Sequence, residues 1–293
     1  MSMGKIHIFT DADLDGAGCI FLLKKVYKNF TYQVTTEKKF REDFLNWQLK
    51  NKISDFHKVI ICDLNLKDNI DMVDRVGIEI YDHHSEHVQK NDQYNKAITY
   101  LEEDGSCTMT IYKEHEPELT NYEKLLVKLI NDYDSYTLEY PFSKPLDKVF
   151  WSYTGNRVEK FLNDFGEGFK GFNQYHKNML SSLERKTNEF IETETFYKGN
   201  LKVSGQDRSI VSCFIKFNPN EISEILLKKY NCDIALLINL KGKSVYFRKA
   251  KKCDVNMAKL AEKICDGGGH DDAAGGTLND TIINITKLLK PIN

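Results

Sequence analysis

Short apolar runs that stop at an aspartate recur along the first third of the chain. Ile6-His7-Ile8-Phe9-Thr10 stops at Asp11, Lys58-Val59-Ile60-Ile61-Cys62 at Asp63, and Gly77-Ile78-Glu79-Ile80-Tyr81 at Asp82. Runs of this length and content predict buried strands. From Gly16 the period changes, and Ile20, Leu23, Val26, Tyr27 and Phe30 fall on one helical face. Strands alternating with helices predict a parallel sheet with right-handed crossovers, whose ligands sit beyond the carboxyl ends of the strands. Further on, Thr120-Asn121-Tyr122-Glu123 is a capping box, followed by Leu125, Leu126, Leu129 and Ile130. The predicted helix runs into Asn131-Asp132-Tyr133-Asp134.

The pattern then shifts. Tyr140 to Tyr175 is dense in aromatic residues, and residues 176–197 are polar, charged and helix-compatible. A second unit starts near Gly199, with strands predicted at Leu201–Ser204, Ser209–Phe214, Asp233–Leu240 and Ser244–Arg248. The last two are joined as a hairpin at Lys241-Gly242. Asn218-Pro219-Asn220-Glu221 announces a helix, and Asp254 is expected to cap another that ends at Gly267 after Cys265. The fold expected is α/β: a parallel-sheet N-terminal domain over 1–175, a connecting helix over 176–198, and a smaller α/β C-terminal domain over 199–293.

Charge and composition narrow the function. In 293 residues, 41 Lys+Arg oppose 43 Asp+Glu, a net charge of −2 that excludes holding nucleic acid through the overall field. No apolar stretch is long enough for a membrane helix and the N-terminus lacks a signal-peptide core, so no membrane partner is expected. The seven cysteines are odd in number and scattered without a C-x-x-C pair. They read as reduced thiols of a cytoplasmic protein.

Asp11-Ala12-Asp13-Leu14-Asp15-Gly16 packs three carboxylates where a strand meets a helix. Such density repels unless a cation sits among the charges, and hard oxygen ligands suit Mg²⁺ or Mn²⁺. A calcium loop of the EF-hand type needs Glu at its twelfth position, which is Leu22 here. Asp82-His83-His84, Asp63, and Asp132 or Asp134 add ligands from three further elements. A mixed Asp/His shell favours Mn²⁺, and two ions ~3.5–4 Å apart would activate water and clamp a phosphoryl group.

Gly267-Gly268-Gly269-His270 is a different kind of site. Consecutive glycines let backbone N–H groups approach an anion, and Arg248 on a nearby strand could meet phosphate bidentately. A helix C-cap and flexible turn is the bland alternative. The aromatics Phe150, Trp151, Tyr153, Phe161, Phe165, Phe169 and Phe172 read as core, with Trp151 and Tyr153 the best candidates for stacking on bases.

Together these segments resemble the DHH phosphoesterase superfamily, in its branch with the DHH-associated C-terminal domain. Asp13-Leu14-Asp15, Asp63 and Asp82-His83-His84 match its first three motifs, and Asp132 is the preferred match to the fourth, with Asp134 close behind. Val245-Tyr246-Phe247-Arg248 followed by Gly267-Gly268-Gly269-His270 resembles its substrate-phosphate site. Two departures stand out. Phe9 occupies a position where many small-substrate members carry histidine, which with Asp11 makes the first motif more like the RecJ-type exonucleases. Asp271-Asp272 follows the GGGH segment, where two carboxylates disfavour a long polyanion.

The resemblance implies an active site in the interdomain cleft, with two Mn²⁺ ions (Mg²⁺ as the alternative). Asp13, Asp15, Asp63, Asp82 and Asp132 would hold the metals, with Asp11 and Asp134 nearby, His83 as imidazole ligand and His84 on a metal or the scissile phosphate. Arg248, Gly268, Gly269 and His270 would hold a terminal phosphate of the substrate. The expected activity is phosphodiester hydrolysis of a short or end-bearing single-stranded oligonucleotide or dinucleotide, of nano-RNase or exonuclease type. The alternatives are a cyclic-dinucleotide phosphodiesterase or nucleotide bisphosphate phosphatase on the same scaffold, and a non-catalytic nucleic-acid-binding scaffold. Loss of catalysis would erase ligands, yet all four acidic motifs stand.

Overall fold

The computed structural model describes residues 5–292 and divides the chain into two compact units, residues 1–180 and 181–293. The division falls inside the helix Gln174–Thr193, a few residues beyond the boundary expected from composition.

The first unit is built on five strands: β1 (Ile6–Thr10), β2 (Phe30–Val34), β3 (Lys58–Cys62), β4 (Ile78–Asp82) and β5 (Ile98–Leu101). All are parallel, in the order β2-β1-β3-β4-β5. The order reverses direction between β1 and β3, and that reversal opens a crevice at the strands' carboxyl ends. Both faces are covered, which explains the near-continuous apolar runs. Ile60 and Cys62 face a core shared with the helices Leu14–Val26, Cys107–His115 and Asn121–Asp134. Val59 and Ile61 face the opposite core, with Phe40, Phe44 and Trp47 of the helix Glu37–Gln48. Phe9 belongs to this second core, edge-on to Phe40 and Trp47, so the residue where many small-substrate members carry histidine is here a packing element.

The structure corrects two local expectations. Phe30 shares a helical period with Ile20, Leu23 and Val26, but the helix stops at Val26, and Phe30 opens β2, where Phe30, Tyr32 and Val34 alternate onto the core. Asn256, not Asp254, caps the helix Met257–Cys265, accepting a hydrogen bond from the Lys259 amide. Asp254 instead pairs with Arg208.

The second unit carries a seven-stranded mixed sheet. Its strands are β6 (Phe196–Val203), β7 (Gln206–Phe214), β8 (Ile234–Asn239), β9 (Ser244–Lys249), β10 (Gly268–Gly269), β11 (Ala273–Thr277) and β12 (Lys290–Ile292). The order is β10-β11-β9-β8-β7-β6-β12, parallel only between β7 and β8. The hairpin expected at Lys241-Gly242 joins β8 to β9. Alternation along β8 sends Ile234, Leu236 and Ile238 to one core and Ala235 and Leu237 to the other. All seven cysteines are free thiols and buried. No helix among the described residues is long and apolar enough to cross a membrane.

Candidate metal centre

The loop leaving β1 turns directly into a helix, and its acidic residues are held by that turn. Asp13 is the N-cap: its Oδ1 accepts from the Gly16 amide at 2.9 Å. Gly16 is needed there because a Cβ would lie 2.3 Å from the Asp11 carbonyl oxygen, a contact with backbone that no rotamer relieves. Asp15 is buried and lies across the N-terminus of the helix Cys107–His115. Its Oδ2 accepts from the Cys107 amide at 2.7 Å and its Oδ1 from the Thr108 amide at 3.0 Å. A carboxylate is favoured at such an end, where amides lack intrahelical partners.

The neighbouring strands deliver the rest. Asp63 follows β3 in a left-handed conformation, φ 57°, which aspartate tolerates better than most residues and which turns the chain at the strand's end. Asp82 ends β4, followed by His83 and His84. The His83 Nε2 lies 3.4 Å from Asp63 Oδ1, 3.3 Å from Asp134 Oδ2 and 3.9 Å from Asp15 Oδ2. Ligand atoms of Asp15, His83 and Asp134 converge to within 4.8 Å of one another, as do those of Asp63, Asp82, His83 and His84. Four elements far apart in sequence thus meet at the crevice beside the reversal of strand order.

Charge is poorly compensated there. Burial first, and then the Asp13 charge, pushes Asp11 up to about 7. Burial and the surrounding carboxylates Asp13, Asp15 and Asp134 drive Asp63 well above the ordinary range. Asp134 is raised the same way, by burial and then by Asp15 and Asp13, and burial also raises Asp15. Asp63 Oδ2 and Asp134 Oδ2 are buried without a hydrogen-bond partner. Buried acceptors left unpaired in a nest of like charges fit hard divalent cations, which the donor set of carboxylates and imidazole suits.

Asp82 is the exception. Burial opposes its charge, but His84 and His87 outweigh this and hold it below the usual carboxylate range. Its Oδ1 is 2.7 Å from His84 Nδ1 and its Oδ2 is 2.6 Å from His87 Nδ1. His84, in turn, is raised to about 10, burial being overcome by Asp82.

The structure chooses between the two aspartates at the end of the helix Asn121–Asp134. Asp134 reaches the cluster. Asp132, the preferred reading of the motif, does not: its carboxylate accepts from Thr137 Oγ1, the Glu139 and Tyr140 amides and Ser143 Oγ, holding the following turn. Two residues on a helix are about 200° apart, so both cannot face one site. The sequence reading also missed Asp147, pushed up to about 7 by burial despite hydrogen bonds with Tyr133 and Trp151. It missed the Cys107 and Thr108 amides and His87 as well. Only His87 left a trace, five residues after Asp82 on the turn Ser85–Val88. Of the proposed stacking residues, Tyr153 is buried (3 % exposed), bonded to Asp164 and His176, and so belongs to the core. Trp151 is 48 % exposed, with the Arg157 guanidinium 5.0 Å from its ring centre.

In the second unit, β10 is an edge strand paired only with β11 in the sheet order, and Gly268, Gly269 and His270 are exposed. The hydrogen bond from the His270 amide to the Ala273 carbonyl, 2.8 Å, closes the turn after it. Gly269 has φ 140°, and a Cβ there would meet the Ala273 carbonyl oxygen at 2.7 Å. Arg248 is buried on β9, with Nη2 3.1 Å from Asn220 Oδ1 and Nη1 3.8 Å from Glu224 Oε1. Lys249 pairs with both Asp271 and Asp272, so the two carboxylates after the GGGH segment share one cation.

Comparison with known proteins fits this arrangement. Residues 5–133 match the DHH family, N-terminal domain, and residues 207–293 match the DHHA1 domain. Among solved structures, the chain is similar to PggH from Vibrio cholerae, a pGpG-specific phosphodiesterase, with 14 % identity and a TM-score of 0.57, covering 96 % of each chain. It is similar to RecJ from Thermus thermophilus in complex with Mn²⁺, with 10 % identity and a TM-score of 0.55, over 97 % of this chain but 51 % of RecJ. An exopolyphosphatase-related protein from Bacteroides fragilis is similar at 13 % identity and a TM-score of 0.51, over 98 % of this chain and 90 % of that one. The search of curated proteins finds no match.

Proposed function

The chain belongs to the DHH phosphoesterase family, and from that premise we propose that it is a divalent-metal-dependent phosphodiesterase acting on short or end-bearing single-stranded oligonucleotides. The observation that carries this reading is the convergence on His83 of carboxylates from three separate elements, with buried oxygens on Asp63 and Asp134 that accept no hydrogen bond. Asp13, Asp15, Asp63, Asp82, His83 and Asp134 would hold two ions, Mn²⁺ in the first instance, with Asp11 at the rim. Bound there, such ions lower the pKa of water towards ~7 and neutralise phosphoryl oxygens.

The chain's own groups prepare that site. Asp15 is fixed by two amides, so it does not need to reorganise on binding. His84 stays protonated at neutral pH through Asp82 and supplies positive charge to a phosphoryl oxygen. To the second unit we assign the hold on the substrate's terminal phosphate, through the exposed Gly268, Gly269 and His270, with Arg248 supplying charge from behind. Arg248 is anchored by Asn220 and Glu224, which keeps its guanidinium in one place.

A short substrate is favoured on two grounds. The net charge of −2 gives no general attraction to a long polyanion. PggH, similar over nearly its whole length, is specific for pGpG, whereas RecJ is about twice the length this chain spans. The test is Mn²⁺-dependent cleavage of 5′-phosphorylated RNA and DNA from two to about twenty units, with Asp63→Asn as control; the length series follows from a site that reads ends rather than a long groove. Fastest turnover of dinucleotides, lost in the variant, supports the reading. Progressive shortening of long single-stranded DNA would replace it with an exonuclease of RecJ type, and silence at every length would direct the search to cyclic dinucleotides and nucleotide bisphosphates.

A further inference from the structure

We propose that His87 and Tyr94 are positioning residues that fix the Asp82 carboxylate for metal binding; this rests on the metal site proposed above. Asp82 ends β4, and the single helical turn Ser85–Val88 follows with His84 as its N-cap. Residues three apart on such a turn share a side, so both imidazoles face back to the strand end. They divide the carboxylate, His84 Nδ1 taking Oδ1 and His87 Nδ1 taking Oδ2. His84 is partly exposed at the crevice, whereas His87 is fully buried behind Asp82. On its far side, His87 Nε2 lies 2.7 Å from the Tyr94 hydroxyl.

At Asp82 the carboxylate fixes the role of the nearer His87 nitrogen. An ionised carboxylate only accepts, so His87 Nδ1 carries a hydrogen and donates it to Oδ2. The Leu66 amide, 3.5 Å from the same Nδ1, therefore faces a donor and makes no effective bond. On the far side, His87 Nε2 and the Tyr94 hydroxyl share one hydrogen bond, and the hydroxyl can serve it as donor or as acceptor. Tyr94 thereby anchors the far side of the ring, the near side donates to Asp82, and the carboxylate is held from behind. A carboxylate steadied by a buried imidazole is the mirror of the carboxylate that steadies a metal-bound histidine, and outer partners of that kind are worth about 10–100-fold in metal affinity.

The experiment is a titration of the full chain with Mn²⁺, reading free Mn²⁺ by its electron paramagnetic resonance signal, alongside thermal unfolding of each variant. His87→Leu removes both bonds and is expected to weaken Mn²⁺ binding about 10–100-fold. His87→Asn places an amide donor where Nδ1 stood and is expected to recover most of that loss, which a purely structural role would not predict. Tyr94→Phe keeps the ring and loses only the outer bond, with a loss of several-fold. Equal binding by the Leu and Asn variants overturns the proposal; should the Leu variant not fold, wild-type affinity in Tyr94→Phe overturns it. If the unaltered protein binds no Mn²⁺, the metal reading falls and takes the relay with it, whereas tight binding that His87→Leu retains removes the relay alone.

Discussion

The two units treat charge in opposite ways. In the second unit the charges have opposite partners: Lys249 spans Asp271 and Asp272 beside the GGGH edge, Arg248 faces Glu224, and Arg208 meets Asp254. At the crevice of the first unit, Asp11, Asp15, Asp63 and Asp134 are raised by burial and by one another, and His83 stands among three of them. A compensated surface can bind an anion weakly without rebuilding, while an uncompensated buried cluster is incomplete until a cation arrives. The contrast recurs within one helix. Asp132 and Asp134 are the same residue two positions apart, yet one has both oxygens hydrogen-bonded and is held low, and the other has a buried oxygen that accepts no hydrogen bond and is driven high.

The sharpest way to break that comparison is to exchange the two aspartates' roles by mutation. Asp134→Asn should abolish Mn²⁺-dependent phosphodiester hydrolysis while leaving the metal-free protein at least as stable, because it removes a carboxyl whose ionisation the fold opposes. Asp132→Ala should do the reverse, costing about 2–4 kcal/mol of stability through stranded donors while the surviving folded fraction still binds Mn²⁺. Unfolding curves and metal titrations on both variants decide the matter, and loss of metal binding in Asp132→Ala with full stability would reverse the assignment.

A second test uses pH. A carboxyl whose folded pKa is raised, as for Asp11 to about 7, keeps its proton in the fold while the unfolded chain has released it. The folded state therefore binds more protons between the ordinary carboxyl value of 3.8 and about 7, and stability declines as pH rises through that window. Asp147, raised to about 7 by burial, adds to the decline, and His7, lowered to about 4 by burial, opposes part of it over the same window. Asp82, held low, loses its contribution as pH falls below its ordinary range, and His84 loses its own as pH rises from the ordinary 6.5 to about 10. The melting temperature in chelator should fall between pH ~4 and ~7, and Mn²⁺ should cancel the fall by binding the ionised cluster. A flat profile in chelator would remove the uncompensated cluster from the account.

The smallest expected effect is on the compensated side. Lys249→Met should leave Asp271 and Asp272 unpaired at the GGGH edge and raise KM for a 5′-phosphorylated dinucleotide several-fold, with kcat unchanged. The change should shrink with added salt, since these carboxylates are exposed. An unaltered KM at low salt would separate this edge from substrate binding.

Sequence alone settled a good part of this protein. Apolar runs of strand length located β1, β3 and β4, and the aspartates that stop them mark the carboxyl edge, because a parallel sheet buried on both faces must put its polar residues at its ends. The capping box at Thr120 and the proline at Pro219 placed two helices, since caps are local chemistry. Edge strands such as β2 went unread, because a half-covered strand carries a weaker pattern than a central one. Tertiary structure alone decided which of Asp132 and Asp134 enters the cluster, that the Cys107 and Thr108 amides hold Asp15, and that His87 and Tyr94 stand behind Asp82. Each of these depends on the rotation of one element against another, and the direction of a side chain across that contact is written in neither segment by itself.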